Sequence, residues 1–222
     1  MKCKKLVIFG SGDMADLAHY YFTNDSEYEV LAFTVDRGFS SEDSYMGLPV
    51  VEFESLNELY PANEYQLFIA LSYSKLNQVR RDRFEAALKM GYTLASYISS
   101  HATVLNDKQI GKNCFILEDN TIQPFVKIGD NVTLWSGNHI GHHSVIESHV
   151  FLASQIVVSG GVTIGEQCFV GVNATLRDHI SIGSKCVLGA GTLVLKDLEP
   201  NSLVKGSASQ VADIPTSKLS RI

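Results

Sequence analysis

Hydrophobic positions fall into two rhythms along this chain. From Ile98 to Val194 every sixth residue is aliphatic: Ile98, Val104, Ile110, Ile116, Ile122, Ile128, Leu134, Ile140, Ile146, Leu152, Val158, Ile164, Val170, Leu176, Ile182, Leu188 and Val194. With 45% of residues apolar, chance gives such a run about once in a million for a fixed register. A period of six is neither that of a helix nor that of a simple strand. It predicts a hexapeptide β-helix, in which each repeat lays down one short strand and turns its aliphatic residue inward. Glycine often follows that residue, as at Gly111, Gly129, Gly141, Gly165, Gly171, Gly183 and Gly189. The position two before it is mostly small or β-branched, as at Ala102, Cys114, Val126, Val132, Ser144 and Val150. Pro200 breaks the pattern. Residues 201–222 are expected to form a polar tail that caps the open end of the coil, where strand edges would otherwise be exposed.

Residues 1–95 have a different rhythm. Leu6-Val7-Ile8-Phe9 reads as a buried strand, followed by Gly10-Ser11-Gly12-Asp13 and a helix through Tyr21. Glu29 to Val35 is a second strand, ending at Asp36; Leu48 to Val51 is a short one; Leu67 to Leu71 is a third core strand. Residues 75–90 carry Leu76, Val79, Ala87 and Leu88 at helical spacing. Strands alternating with helices predict a parallel sheet with helices on its faces, a small Rossmann-like α/β domain. No Gly/Ser-rich linker separates it from the repeats, so residues 92–100 should form a close-packed junction.

Composition narrows the partners. A net charge of −6 over 222 residues argues against nucleic acid, which favours a basic surface. The basic cluster Arg80, Arg81 and Arg83 reads as the solvated face of a helix. No stretch approaches the ~20 apolar residues of a membrane span, and Leu6 to Phe9 is too short for a signal peptide. The cysteines Cys3, Cys114, Cys168 and Cys186 form no CxxC pair. They are expected to be buried, reduced and structural, in a cytoplasmic protein.

Candidate chemistry lies in both halves. Gly10-x-Gly12-x-x-Ala15, with Asp36 after the second strand, has the form of a nucleotide-binding turn. As an NAD site it is weak, since one βαβ half without a catalytic partner domain makes a poor dehydrogenase. Ser72 and Lys75 follow the third strand at the same sheet edge, where ligands of such folds lie. In the repeats, His142 and His143 stand among several histidines. The repeat run contains no long inserted loop, so any site there must be completed by the N-terminal domain or by another subunit.

An α/β domain followed by such repeats resembles the PglD/NeuD-type bacterial sugar acyltransferases of the left-handed β-helix superfamily. The resemblance spans nearly the whole chain. It is strongest from Asn138 to Leu176, through Asn-His-Ile-Gly-His-His-Ser-Val-Ile, Val-Val-Ser-Gly-Gly-Val-Thr-Ile-Gly and Phe-Val-Gly-Val-Asn-Ala-Thr-Leu. It implies a Rossmann-like domain over 1–95, a left-handed parallel β-helix over 96–200 and a capping tail over 201–222. It further implies a homotrimer that transfers the acetyl group of acetyl-CoA to a nucleotide-linked amino sugar, such as a UDP- or dTDP-4-amino-6-deoxy sugar, in surface-glycan synthesis. O-acetylation of a sialic acid-like sugar and a non-catalytic trimeric binding module are the alternatives. No metal is expected; zinc-binding hexapeptide carbonic anhydrases lack the Rossmann-like domain.

The resemblance also assigns residues. His142 matches the general base and Gly160 the residue whose backbone N–H faces the thioester carbonyl. With eighteen-residue coils the two stack one coil apart. Where relatives have an acidic residue that orients the base, this chain has His143; Glu147 and Glu118 are substitutes for that role. For the donor the resemblance points to Phe151, Gly160, Gly161, Asn173, Ala174, Ala190, Gly191 and Gly206. Phe151 stands where a histidine is found in relatives, and Gly206-Ser207-Ala208 lacks a proline common there. For the sugar nucleotide it points to Gly10, Ser11, Gly12, Asp36, Ser72, Lys75, Trp135 and Asn138. Trp135 either walls the acceptor pocket or packs between subunits.

Overall fold

The computed structural model describes residues 2–39, 43–107, 109–211 and 213–218. The N-terminal part runs β1 (Lys4–Phe9), α1 (Asp13–Asn24), β2 (Tyr28–Val35), β3 (Ser44–Tyr45), β4 (Leu48–Glu52), α2 (Leu56–Leu59), β5 (Tyr65–Ile69) and α3 (Gln78–Lys89). Its sheet has the order β3-β4-β2-β1-β5. β1, β2, β4 and β5 are parallel, and β3 is antiparallel to β4. Because the central strands are covered on both faces, they read as continuous apolar runs rather than alternating ones. Val7, Leu67 and Ile69 pack with Phe84 and Ala87 of α3. Leu6, Ile8 and Phe68 pack with Ala15, Ala18 and Phe22 of α1.

From Tyr97 onward the chain winds through two-residue strands that stack into three parallel sheets. The first face carries Tyr97–Ile98, Phe115–Ile116, Thr133–Leu134, Phe151–Leu152, Phe169–Val170, Val187–Leu188 and Leu203–Val204. The second includes Thr121–Ile122, His139–Ile140, Val157–Val158 and Thr175–Leu176; the third includes Lys127–Ile128, Val145–Ile146 and Thr163–Ile164. Partners lie one coil of eighteen residues apart, as Thr133 with Phe151 and His139 with Val157. This is a left-handed parallel β-helix. Every series member from Ile116 to Val194 is buried in one interior core, while Ile98, Val104 and Ile110 are partly buried at its first turns.

A second six-residue period runs through the backbone. Residues 113, 119, 125, 131 and onward to 191 all have positive φ, including Asn113, Phe125, His143, Gln155, Gln167 and His179, with glycine at 137, 161 and 191. Each corner needs one left-handed residue, a conformation in which Asn, Asp, His and Gly are enriched. The break at Pro200 also has a structural cause. Leu198 opposes Ile182 and Val204 opposes Leu188, a spacing of sixteen, so the last coil is two residues short. Leu203–Val204 adds a final strand to the first face.

The N-terminal domain docks on that first face. Tyr97, Phe115 and Leu117 share a core with Phe22 and Phe68, and the Asn113 side-chain amide bonds both the N–H (2.7 Å) and the C=O (3.3 Å) of Ile69. Arg80 corrects the solvated-face reading of its cluster. It is 1% exposed, donates to Thr133 Oγ1, the Val150 carbonyl and Asn77 Oδ1, and lies over the Phe151 ring. Burial pulls its pKa down to about 10, so the guanidinium stays charged at neutral pH. The buried stripe of α3 is Arg80, Phe84 and Ala87, whereas Leu88 is exposed. Cys114, Cys168 and Cys186 are buried free thiols as expected, but Cys3 is exposed on the edge of β1.

Candidate active site

The β-helix corner between its second and third faces carries the candidate base. His142 follows His139–Ile140 and precedes Val145–Ile146. Its backbone N–H donates to Gln123 Oε1 at 2.8 Å, and its ring packs against the next coil at Gly160. A Cβ added to Gly160 would meet His142 Cε1 at 2.6 Å and Nε2 at 2.8 Å. Glycine is therefore required at Gly160 for the imidazole to occupy this seat. Among the described residues the Gly160 N–H has no backbone or side-chain acceptor, leaving a donor beside the ring. His142 Nδ1 lies 3.0 Å from His143 Nδ1, and the His143 ring packs against Phe125. Gly161 continues the strip with φ of +70°, covered by the His179 ring. His179 was not expected from the sequence; it occupies the same left-handed corner position as His143, two coils on.

The carboxylates considered as partners of His142 are engaged elsewhere. Glu118 accepts from Tyr21 Oη (2.9 Å) and Ser136 Oγ (2.6 Å), at the corner between the first and second faces. Glu147 accepts from the Glu166 N–H on the third face. Neither touches His142.

A second neighbourhood lies at the corner between the first and second faces. Trp135, Phe151, Phe169, Val172 and Ala190 line an apolar cleft of about 320 Å³, closed on one side by Tyr73 of the N-terminal domain. Tyr73 packs 5.0 Å from the Phe151 ring and 4.8 Å from Phe169. Sequence reasoning passed over Tyr73, which sits next to the Ser72 it had picked. Asn173 and Gly191 are corner residues with positive φ, and Gly206 packs on the Ala190 carbonyl. Ala174 is buried inside the coil, so its methyl group packs the core rather than lining a groove. Asn138 is likewise turned inward: its Nδ2 donates to the Trp135 carbonyl and its Oδ1 accepts from Ile156 N–H. Ser144 and Cys168 accept an N–H eighteen residues on in the same way. Asn138 thus belongs to a repeated coil-to-coil bond and faces no cleft.

The third neighbourhood is the C-terminal edge of the N-terminal sheet. Ser11, Gly12 and Leu71 border two adjoining hollows of about 340 and 360 Å³; Gly10 and Asp36 line the first and Ser72 the second. At Gly10 φ is +125° and a Cβ would strike the Ala70 carbonyl oxygen at 2.8 Å. Gly12 opens α1 with free space where a Cβ would stand, so the amides of the first helical turn remain approachable, as an anion requires. Asp36 accepts from Arg83 Nε at 3.0 Å, so Arg83 is held at this edge rather than on a solvated helix face. Lys75 is exposed in a left-handed turn and lines neither hollow. Among the described residues no group of three or more His, Cys, Asp or Glu could hold a metal ion, and no helix is long and apolar enough to cross a membrane.

The second and third neighbourhoods adjoin through Ser72 and Tyr73. The first stands apart, because the docked domain covers the first face of the prism and His142 sits on the corner between the other two. Within one chain, the His142 ring and the two hollows are on opposite sides of the coil.

Comparison with known proteins agrees with this architecture. Residues 107–142 match the family model for the bacterial transferase hexapeptide, and residues 161–196 that for the hexapeptide repeat of succinyl-transferase. Among curated proteins no sequence matches. Among solved structures, PerB from Caulobacter crescentus, in complex with CoA and GDP-perosamine, is 25% identical, with a TM-score of 0.81 over 91% of this chain and 94% of that one. The acetyltransferase domain of PglB from Neisseria gonorrhoeae FA1090 is 24% identical, with a TM-score of 0.80 over 92% and 97%. WeeI from Acinetobacter baumannii AYE is 20% identical, with a TM-score of 0.76 over 92% and 97%. The likeness spans both domains.

Proposed function

We propose that this protein is an acetyl-CoA-dependent N-acetyltransferase of a nucleotide-linked amino sugar, working in the cytoplasm in bacterial surface-glycan synthesis. The observation that carries the reading is the imidazole of His142 seated on Gly160, whose backbone N–H has no partner among the described residues. An amine attacking a thioester needs a base for its proton and a donor for the oxyanion, and this corner holds both. The likeness to PerB, whose structure holds CoA and GDP-perosamine, supports the substrate class.

In this reading the sugar nucleotide lies along Gly10, Ser11, Gly12, Asp36 and Ser72, its diphosphate toward the start of α1 and its sugar toward Tyr73 and Trp135. The amine nitrogen bonds to the thioester carbon, His142 Nε2 takes a proton from that nitrogen, and the Gly160 N–H steadies the oxyanion. Collapse breaks the C–S bond, and the proton passes from Nε2 to the departing sulfur. Because base and hollows face opposite ways in one chain, a second copy must bring its His142 corner to the Tyr73 cleft. A cyclic homotrimer does this at each of its interfaces. Phe151, Gly161, Asn173, Ala190, Gly191 and Gly206 then border the donor's path between neighbouring coils.

Thiol release from acetyl-CoA, measured with GDP-, UDP- and dTDP-linked amino sugars, tests the proposal. The expected result is turnover by the wild type and a loss of about 10²-fold or more in His142→Ala, with acetyl-CoA binding retained. Turnover that survives the substitution removes His142 from the role of base. Acceptance of hydroxyl sugars in place of amino sugars would move the reading to O-acetylation.

A further inference from the structure

We infer that His143 sets the tautomer of His142, so that the base is a paired imidazole dyad with no carboxylate behind it. The inference rests on the acyl-transfer reading for its purpose, and on geometry for its content. The two Nδ1 atoms are 3.0 Å apart, and two imidazole nitrogens at that distance must share one proton, one donating and the other accepting. Among the described residues neither ring has a carboxylate partner. His142 Cε1 and Nε2 are the ring atoms nearest the Gly160 position, at 2.6 and 2.8 Å from where its Cβ would stand; with Nδ1 facing His143, Nε2 is the nitrogen left to meet the reacting amine. Only an unprotonated Nε2 can take a proton there, so Nδ1 carries the hydrogen and donates it to His143 Nδ1. His143 is then neutral, with its own hydrogen on Nε2. When His142 Nε2 takes the amine proton, the positive charge is shared along the Nδ1–H···Nδ1 bond. The same Nε2–H then goes to the departing sulfur, and the dyad returns to its starting state. Among the described residues, the groups against the pair are the Gln123 amide on the His142 backbone, the Phe125 ring and the Gly160 backbone, none of which titrates.

The coil itself supplies the controls. Position 143 is a left-handed corner that this chain fills elsewhere with Phe125, Gln155 and Gln167, so His143→Phe and His143→Gln suit the same turn. Glutamine offers an oxygen to the Nδ1–H; phenylalanine offers none. Proton-detected 15N spectra of full-length, 15N-histidine-labelled protein report which ring nitrogen of His142 carries the hydrogen, assigned by its disappearance in His142→Ala. Expected are Nδ1–H in the wild type, retention of that form in His143→Gln, and a change to Nε2–H in His143→Phe. In turnover, kcat should fall about 10²-fold in His143→Phe and much less in His143→Gln, with both KM values within about twofold. An Nε2–H tautomer in the wild type, or one unaltered by His143→Phe, overturns the inference. If the spectra are as expected and no acyl transfer occurs, the dyad stands and the proposed reaction falls.

Discussion

At the scale of single residues, the candidate site depends on an absence of atoms. Gly160 has no left-handed dihedral to demand glycine; what demands it is the imidazole lying where its Cβ would be. Gly160→Ala should therefore fold normally and displace the base. A misplacement of the order of an ångström costs about 10²-fold in rate, so kcat is expected to fall by about that factor, with the acceptor KM nearly unchanged and Tm within about 2 °C of wild type. Steady-state kinetics with a thermal melt on the same sample checks this, and an unimpaired kcat would show that the ring does not work from this seat. Asn138 makes the opposite lesson. A polar residue inside the most family-like stretch drew attention as a ligand contact, yet its oxygen is spent on the Ile156 N–H. Its place two residues before Ile140, where Ser144 and Cys168 stand in other repeats, was the available sign that it belongs to the coil.

At the scale of elements, the inward rhythm of the repeats was legible because each coil obeys one steric rule, whereas the seam between the domains was not. Arg80 looked solvated because arginine is almost never fully buried without a partner. Its spacing to Phe84 and Ala87, however, places it on the packed stripe of α3, and its partners Thr133 and Val150 lie more than fifty residues away. His149 belongs to the same seam, bonded through Nδ1 to the Asn131 amide and packed on Phe84. Burial, aided by the nearby charge of Arg81, lowers its pKa below the usual imidazole value. The unfolded chain thus takes up a proton near pH 6.5 that the folded chain resists. Stability held fully above that pH should decline as the pH drops from there toward the lower folded value. In His149→Asn, which suits the left-handed corner and can still bond Asn131, that contribution disappears. Scanning calorimetry between pH 7.5 and 5 should show the wild-type Tm falling further than the variant's; parallel curves would mean that the seam does not sense this proton.

At the scale of the whole molecule, the three neighbourhoods lie on different sides of one chain, and the proposed reaction therefore calls for two copies. The aromatic face that joins the coil to the α/β domain fixes the hollows on one side, and eighteen-residue stacking fixes His142 and Gly160 on the far corner. No sequence pattern announces this division, since both groups of residues follow regular local rules and only the choice of docking face separates them. Complementation between two inactive variants exposes it. His142→Ala removes the base and leaves the hollows. Gly12→Glu meets open space at its Cβ and adds a negative charge at the start of α1, where an anionic diphosphate would bind. Each variant alone should lose at least about 10²-fold in turnover. If every site takes its base from one subunit and its hollow from the next, a co-expressed one-to-one mixture pairs an intact base with an intact hollow at about a quarter of its interfaces. Acetyl transfer should then return to roughly a quarter of the wild-type rate, while a mixture as inactive as its parents would place base and sugar nucleotide on the same chain and require the α/β domain to leave the face on which it packs.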